Sequence, residues 1–179
     1  MQIITTHLNA DFDCIASMVA AKKLYPDAFL VLPGSAEKQV DEFLKEEKFP
    51  LEFSRIKDIP FDEVILVVLV DTHDPKRIGV FSPLISNPNV KVHIYDHHEN
   101  PSMDFQIEKL VVENRGACTS ILCEILDEKN ISLTAEESTL MVLGIFQDTH
   151  SLTSSSTTPE DFYMAGNLLK QGADLDMVS

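Results

Sequence analysis

The chain has 179 residues, 44% of them hydrophobic, which suits one domain with a sizeable core. Its 29 acidic and 14 basic residues give a formal charge of −15, which excludes avid electrostatic binding to nucleic acid or to an anionic membrane, although bound divalent cations would reverse that potential locally. Cys14, Cys118 and Cys123 show no C-x-x-C spacing and give neither a disulfide framework nor a zinc knuckle, and no apolar run approaches the ~20 residues of a membrane span, so a soluble, cytoplasmic protein without a membrane partner is expected.

Ile3 to Thr6 reads as a first strand, followed by a polar loop from His7 to Asp13 and an apolar-periodic helix from about Cys14 to Leu24, ended by Pro26. Ala28 to Leu32 has strand length, Pro33-Gly34-Ser35 is turn chemistry, and Ala36 to Lys48 carries Val40, Phe43 and Leu44 at helical spacing. Leu51 to Phe53 reads as a brief edge strand. Val64 to Val70 is uniformly apolar and rich in β-branched residues, which predicts a strand buried on both faces at the centre of a parallel sheet. Pro75, Gly79, Pro83 and Pro88 predict an irregular stretch with at most one helical turn.

Val90 to Tyr95 is the next strand, ending in Asp96-His97-His98. Glu99 to Asp104 reads as a loop and Val111-Val112 as a short strand. Three helices follow, over Gly116–Lys129, from the capping sequence Thr134-Ala135-Glu136-Glu137 to about Gln147, and from Thr158-Pro159-Glu160 to Lys170, where Gly172 stops it. Seven Ser or Thr residues between Ser151 and Thr158 mark a loop, and Asp174 to Ser179 carry no expected element.

Alternating strands and helices predict an α/β fold, doubly wound, with a mainly parallel sheet and helices on both faces. Ligands in such sheets gather beyond the carboxyl ends of the strands, where His7, Asp11, Asp13, Asp71 and His97 follow predicted strands; Asp148 arrives at a helix end. Four carboxylates and two imidazoles are too anionic to converge unless cations hold them. Hard oxygen donors with some imidazole favour Mn²⁺ or Mg²⁺, with Co²⁺, Fe²⁺ or Zn²⁺ next. Six ligands with one shared suit two ions about 3.5–4 Å apart, a spacing that clamps a phosphoryl group.

The segments His7-x-Asn9-x-Asp11-x-Asp13, Asp71 with Arg77-Ile78-Gly79 after it, Asp96-His97-His98 and Gly144-Ile145-Phe146-Gln147-Asp148-Thr149 resemble, in order, the four motifs of the DHH phosphoesterases. That superfamily includes the RecJ exonuclease, nanoRNases, cyclic-dinucleotide phosphodiesterases and family II inorganic pyrophosphatases. The resemblance implies a DHH domain over residues 1–179 that binds two divalent metals, Mn²⁺ first and Mg²⁺ or Co²⁺ next. His7 and Asp11 would hold one, Asp13, His97 and Asp148 the other, and Asp71 would bridge them. Asp71, Asp96 and His98 form the implied catalytic set: Asp96 orients the His97 ring and His98 faces substrate phosphate. Asn9 and Thr119 would shape the loop and the phosphate site. His150 stands where a glycine is usual, so that it contacts substrate or crowds it. Ala10 and Leu152 also depart from the commoner residues.

The opening sequence, with Leu24-Tyr25-Pro26-Asp27-Ala28 after the first helix, looks most like the amino-terminal DHH domain fused in some bacteria to CBS and tRNA nucleotidyltransferase or poly(A) polymerase domains. The glycine-rich, arginine-containing second domain of the family has no counterpart here, so the chain is expected to be part of a longer, RNA-processing protein, its missing C-terminal domains covalent partners, with an oligomer possible. The expected activity is metal-dependent hydrolysis of phosphodiester bonds in short RNA, oligonucleotide ends or dinucleotides by a metal-bridging hydroxide. A pyrophosphatase-like hydrolase, or a metal- or nucleotide-sensing module regulating an attached nucleotidyltransferase, are the alternatives. Outside the motifs, Arg77 reads as a structural ion-pair partner, His73 as incidental, and His93 as a hydrogen-bonded core or edge residue. Cys14, Cys118 and Cys123 read as core packing.

Overall fold

Five short strands, all paired in parallel, form a single sheet in the order β2-β1-β3-β4-β5 in the computed structural model, which describes residues 1–45, 52–99 and 103–178. The strands are β1 (Gln2–Thr5), β2 (Phe29–Leu30), β3 (Leu66–Val70), β4 (Lys91–Asp96) and β5 (Lys109–Val112). All five residues of β3 are buried, as expected of a parallel strand covered on both sides. The two-residue period of the strands divides the core: Ile4, Val68 and Tyr95 enter one layer, and Ile3, Val67, Leu69, Val92 and Ile94 the other.

The first layer is covered by α1 (Phe12–Leu24), α2 (Lys38–Lys45), α4 (Cys118–Glu128), α5 (Ala135–Asp148) and α6 (Pro159–Lys170). Residues Asp13 to Ala21 of α1 are buried without a break, because the sheet lies on one side of this helix and α4 and α5 on the other. The second layer is thinner. Ile59, Ile78, Phe81, Leu84 and Ile85 pack there from short turns and from α3 (Ser82–Ile85). Helices do cover both faces, unequally.

Several bounds differ from expectation for local reasons. Asp11 is the N-cap of α1 and its side chain accepts the Cys14 N–H, so the helix starts at Phe12 and Asp13 lies on it instead of in the loop. The segment expected to be irregular holds two 3₁₀ turns, Pro75–Arg77 and Gly79–Phe81, as well as α3. A 3₁₀ turn, Leu175–Met177, also occupies the tail expected to lack an element, and Ser179 is outside the described residues. So are the expected continuation of α2 through Glu46-Glu47 to Lys48, Leu51 of the expected edge strand, and positions 100–102 of the Glu99–Asp104 loop. Phe53 makes an isolated parallel bridge with Leu30.

The strand order reverses between β1 and β3, which makes their carboxyl ends the binding crevice of the fold. Among the described residues no helix is long and apolar enough to cross a membrane.

Candidate metal centre

His7 follows β1 and Asp71 follows β3, at the two lips of that crevice. The ring of His7 is fixed by its Nδ1, 2.7 Å from the carbonyl of Leu8; a carbonyl only accepts, so Nδ1 carries the proton and Nε2 is turned inward. His97, after β4, repeats the device with Nδ1 3.1 Å from the carbonyl of Arg115. Backbone tethers of this kind are how proteins aim an imidazole lone pair at a cation.

Two groups of donor atoms form around these nitrogens, each within 4.8 Å of one another: His7, Asp11, Cys14 and Asp71 in the first, Asp13, Asp71, His97 and Asp148 in the second. Asp71 belongs to both. His7 Nε2 lies 3.3 Å from Asp71 Oδ2, while His97 Nε2 lies 3.2 Å from Asp71 Oδ1, 3.3 Å from Asp148 Oδ2 and 3.9 Å from Asp13 Oδ2. Asp71 is 2% exposed and adopts φ +57°, a left-handed conformation rare outside glycine that aims its carboxylate between the two histidines. A third group, Asp71, Asp96, His97 and His98, overlaps the second.

The acids are held by helix starts. Asp11 caps α1, and both oxygens of buried Asp13 accept amides from the first turn of α4, Cys118 N at 2.8 Å and Thr119 N at 2.8 Å. Those contacts replace the missing side-chain cap at Ala117. Gln147 completes the start of α1 by accepting the Phe12 N–H at 2.6 Å.

Electrostatics reveals the strain of this cluster when its protein groups alone share the charge. Burial pushes the Asp13 and Asp11 carboxyls up, and neighbouring Asp71 pushes them further. Burial would also raise Asp71, but the imidazoles of His7 and His97 beside it hold it well below the usual carboxylate range. Burial alone would lower His97; the Asp148 and Asp71 carboxylates instead push it up to about 12, and His7 is raised the same way by Asp71. Protons therefore stand where cations would. Asp71 Oδ1 and His97 Nε2, 3.2 Å apart, are nevertheless buried without a hydrogen-bond partner. Two buried polar atoms without partners, acid crowding and tethered imidazoles all fit divalent cations.

Asp96 departs from the role expected of it. Its Oδ1 accepts the backbone N–H groups of His97 at 2.8 Å and His98 at 3.2 Å, and lies 2.7 Å from His98 Nδ1, while its Oδ2 contacts His73 Nδ1. The carboxylate thus orients His98 and His73, and the His97 ring is set by Arg115 instead. His73, read from sequence as incidental, is part of the site's wall. Thr119 also changes role: fully buried, with Oγ1 3.3 Å from the Asp13 carbonyl and 3.2 Å from Ser17 Oγ, it supports Asp13 and does not face solvent where a substrate could meet it. Asn9 is exposed and takes φ +58°, a conformation asparagine tolerates, so its place in the motif has a backbone reason. His150 is exposed at the start of three successive left-handed residues just after Asp148, with Ser151 and Leu152. Arg77 is exposed and supplies its carbonyl to Leu8 N at 2.7 Å.

Two further residues were not legible from the motifs. Cys14 is not mere core packing: its Sγ lies 3.1 Å from His7 Nε2 and 3.2 Å from Asp71 Oδ2. Asp161, fully buried on α6, accepts from Gly116 N, Ser120 Oγ, Thr158 N and Thr158 Oγ1, pinning the turn that presents α4 to Asp13. The spacing Thr158-x-x-Asp161 is a helix-start signal that could have found it. His93, by contrast, is hydrogen-bonded as expected, between Tyr25 Oη and Glu108, on the interior strand β4 and not at an edge.

Residues 2–145 match the DHH family, N-terminal domain. The chain belongs to the DHH family. This DHH domain is 49% identical over 180 residues to an A-adding tRNA nucleotidyltransferase of Geobacter sulfurreducens, a match covering 100% of the chain and 20% of that protein. It is 28% identical over 180 residues to a probable manganese-dependent inorganic pyrophosphatase of Lactiplantibacillus plantarum, covering 98% of the chain and 56% of the relative. The DHH domain therefore spans about a fifth of the first relative and just over half of the second. An exopolyphosphatase-related protein from Bacteroides fragilis superposes on it with a TM-score of 0.80 at 18% identity, covering 99% of this chain and 54% of that one, a likeness of fold. Family membership and the donor clusters together support a divalent-metal-dependent phosphoesterase.

Proposed function

We propose that this DHH domain hydrolyses phosphodiester bonds in short RNA, oligonucleotide ends or dinucleotides, using two divalent cations, Mn²⁺ foremost, as part of a longer RNA-processing protein. The observation that carries the reading is the placement of Asp71 in both donor clusters, opposite two histidines that each turn Nε2 inward. His7, Asp11 and Asp71 would hold one cation, and Asp13, Asp71, His97 and Asp148 the other. Cations held there supply Lewis acidity, lowering the pKa of a water and offsetting charge on the phosphoryl oxygens.

The chain's own residues do the rest. Asp71 and the two tethered imidazoles fix the spacing of the centre, and the α4 amides keep Asp13 in place as charge changes. His98, with a side chain 45% exposed, gives Nδ1 to Asp96 and presents Nε2 outward, where it meets a phosphate oxygen and passes a proton to the leaving oxygen. Burial opposes the charge on Asp96, but the His98 ring and the His98 backbone N–H hold the carboxyl below its ordinary pKa.

The RNA substrate class is supported by the 49% identical A-adding tRNA nucleotidyltransferase. The manganese-dependent pyrophosphatase relative favours inorganic pyrophosphate as the second reading. Calorimetric Mn²⁺ titration of the chain beside Asp71→Asn, followed by assays of the full-length protein on a short oligoribonucleotide and on pyrophosphate, tests both. Two sites that collapse in Asp71→Asn, with oligonucleotide turnover lost alongside, support the proposal. Turnover of pyrophosphate alone moves the assignment to the second reading, and no binding at millimolar Mn²⁺ rejects both.

A further inference from the structure

Cys14 occupies the first turn of α1, where side chains lean back toward the helix start, and that direction brings its thiol into the first donor cluster. Three of the cluster's atoms form a nearly equilateral triangle: Cys14 Sγ to His7 Nε2 is 3.1 Å, Cys14 Sγ to Asp71 Oδ2 is 3.2 Å, and His7 Nε2 to Asp71 Oδ2 is 3.3 Å. Two nitrogen or oxygen donors on one ion at bond lengths of about 2.1 Å stand about 3.0 Å apart at right angles and about 3.4 Å apart at tetrahedral angles, and a sulfur at about 2.3 Å stands about 3.1 Å or 3.6 Å from such a donor. The observed triangle falls between those values. Asp11 supplies a fourth atom within the same 4.8 Å group, and its Oδ1 bond to the Cys14 N–H ties the position of the thiol to that of the carboxylate. Independently of the cysteine, Asp71, 2% exposed, leaves its other oxygen, Oδ1, without a hydrogen-bond partner 3.2 Å from His97 Nε2, on the side of the second group.

We propose that Cys14 is a thiolate ligand of the cation held by His7, Asp11 and Asp71, and that it makes this the softer of two unequal metal sites, selecting Zn²⁺ or Co²⁺ over Mn²⁺. This rests on the two-cation reading above and deepens it. The second group, Asp13, Asp71, His97 and Asp148, contains no sulfur and remains a hard, oxygen-rich site suited to Mn²⁺. On binding, the Cys14 S–H bond breaks, its proton leaves to solvent, and the sulfur lone pair forms the bond to the cation; nothing is oxidised or reduced. Cys118 and Cys123 do not compete for the role: both are buried, neither joins a donor group, and Cys118 Sγ is directed at the Tyr95 carbonyl, 3.2 Å away.

Titrating the chelator-stripped protein with Co²⁺ and recording its absorption spectrum tests the assignment without reference to turnover. The expected result is a near-ultraviolet sulfur-to-cobalt charge-transfer band together with visible ligand-field bands. Cys14→Ser should lose the former and keep the latter, with Co²⁺ affinity down at least tenfold and Mn²⁺ affinity within about threefold. Cys118→Ser should leave the band intact. Should Cys14→Ser fail to fold, X-ray absorption of the zinc-loaded wild-type protein decides the matter, a sulfur scatterer at about 2.3 Å being required. Ligand-field bands without a charge-transfer band, or a zinc shell of nitrogen and oxygen alone, would overturn the role of Cys14 and leave the metal centre standing. Absence of any Co²⁺ or Zn²⁺ binding would instead reject the metal reading itself.

Discussion

Asp161 lies on α6, outside both donor clusters, yet its removal should weaken the centre. Its carboxylate accepts from Gly116 N at 2.8 Å, Ser120 Oγ at 2.5 Å, Thr158 N at 2.7 Å and Thr158 Oγ1 at 2.9 Å, and it is fully buried. Asp161→Ala strands these donors, at about 1–3 kcal/mol for each buried group left unpaired. The losses overlap, so a total of about 3–5 kcal/mol, the scale for breaking a buried charged contact, is expected. For a domain of this size that lowers Tm by roughly 6–20 °C. Asp161→Asn should cost less, because its amide oxygen can take the Oδ2 place on which three of the four donors converge while its NH2 donates to Ser120 Oγ. The same turn carries the Cys118 and Thr119 amides to Asp13, so Mn²⁺ affinity should fall about 10–100-fold in whatever protein remains folded, the usual effect of losing a group that orients a ligand. Circular dichroism melts in chelator, followed by calorimetric Mn²⁺ titration, measure the two effects. A Tm within about 3 °C of wild type with unchanged affinity would refute the account, since it would mean that these four bonds neither hold the turn nor position α4.

The stripped protein should lose stability as pH rises. His97 is raised to about 12, so its contribution is complete below the unfolded pKa of about 6.5 and is lost progressively as pH climbs toward 12. Melts between pH 6.5 and 9.5 in chelator should therefore slope downward in wild type and less steeply in His97→Gln; saturating Mn²⁺ should flatten or reverse the slope, because a ligating histidine is neutral. Gly144→Ala should destabilise by about 1–3 kcal/mol, the range for overpacking. A β-carbon there would stand 2.7 Å from Ala16 Cβ and 2.8 Å from Thr119 Oγ1, forcing α5 away from α1, and chemical denaturation should register the change as a lower midpoint.

Strand ends made most of the centre legible before any coordinates. Runs of apolar, β-branched residues that stop abruptly at His7, Asp71 and Asp96-His97-His98 announce parallel strands whose carboxyl ends share one crevice, and the sheet order places β1 and β3 side by side there. Local rules failed where two residues compete for one job. In Asp11-Phe12-Asp13 either acid could cap a helix; Asp11 does, which carries Asp13 onto α1 and opposite α4. Asp96 and Arg115 both lie within reach of histidine rings, and only the tertiary arrangement shows that the carboxylate takes His98 and His73 while a carbonyl takes His97. Cys14 and Thr119 are small side chains equally at home in a core, and nothing in their spacing distinguishes packing from contact with the centre. Asp161 is 65 positions beyond Asp96 in the chain, and its role exists only because α6 returns to the start of α4.

The same network explains why this centre should not need its metals in order to fold. Each acid that would touch a cation already has a protein neighbour: Asp11 accepts the Cys14 amide, Asp13 accepts two amides of α4, Asp71 Oδ2 faces His7 Nε2 and the Cys14 thiol, and Asp148 faces the His97 ring. What remains unpaired is small, Asp71 Oδ1 and His97 Nε2 among the centre's atoms. Both hydrophobic layers, moreover, close over the sheet with Cys14 alone of the proposed ligands among their residues. This differs from small zinc domains, in which binding free energy supplies folding outright. Chelator-treated protein should therefore keep its far-ultraviolet dichroism and a cooperative melt. Adding Mn²⁺ to 100 times its Kd should then stabilise it by about 2.7 kcal/mol for one site, and Tm should rise by roughly 5–11 °C. Asp71→Asn should melt cooperatively as well but show little of that rise. Loss of the cooperative transition on chelation would mean instead that the carboxylates cannot be held by amides and imidazoles alone, and that cations organise the crevice as it forms.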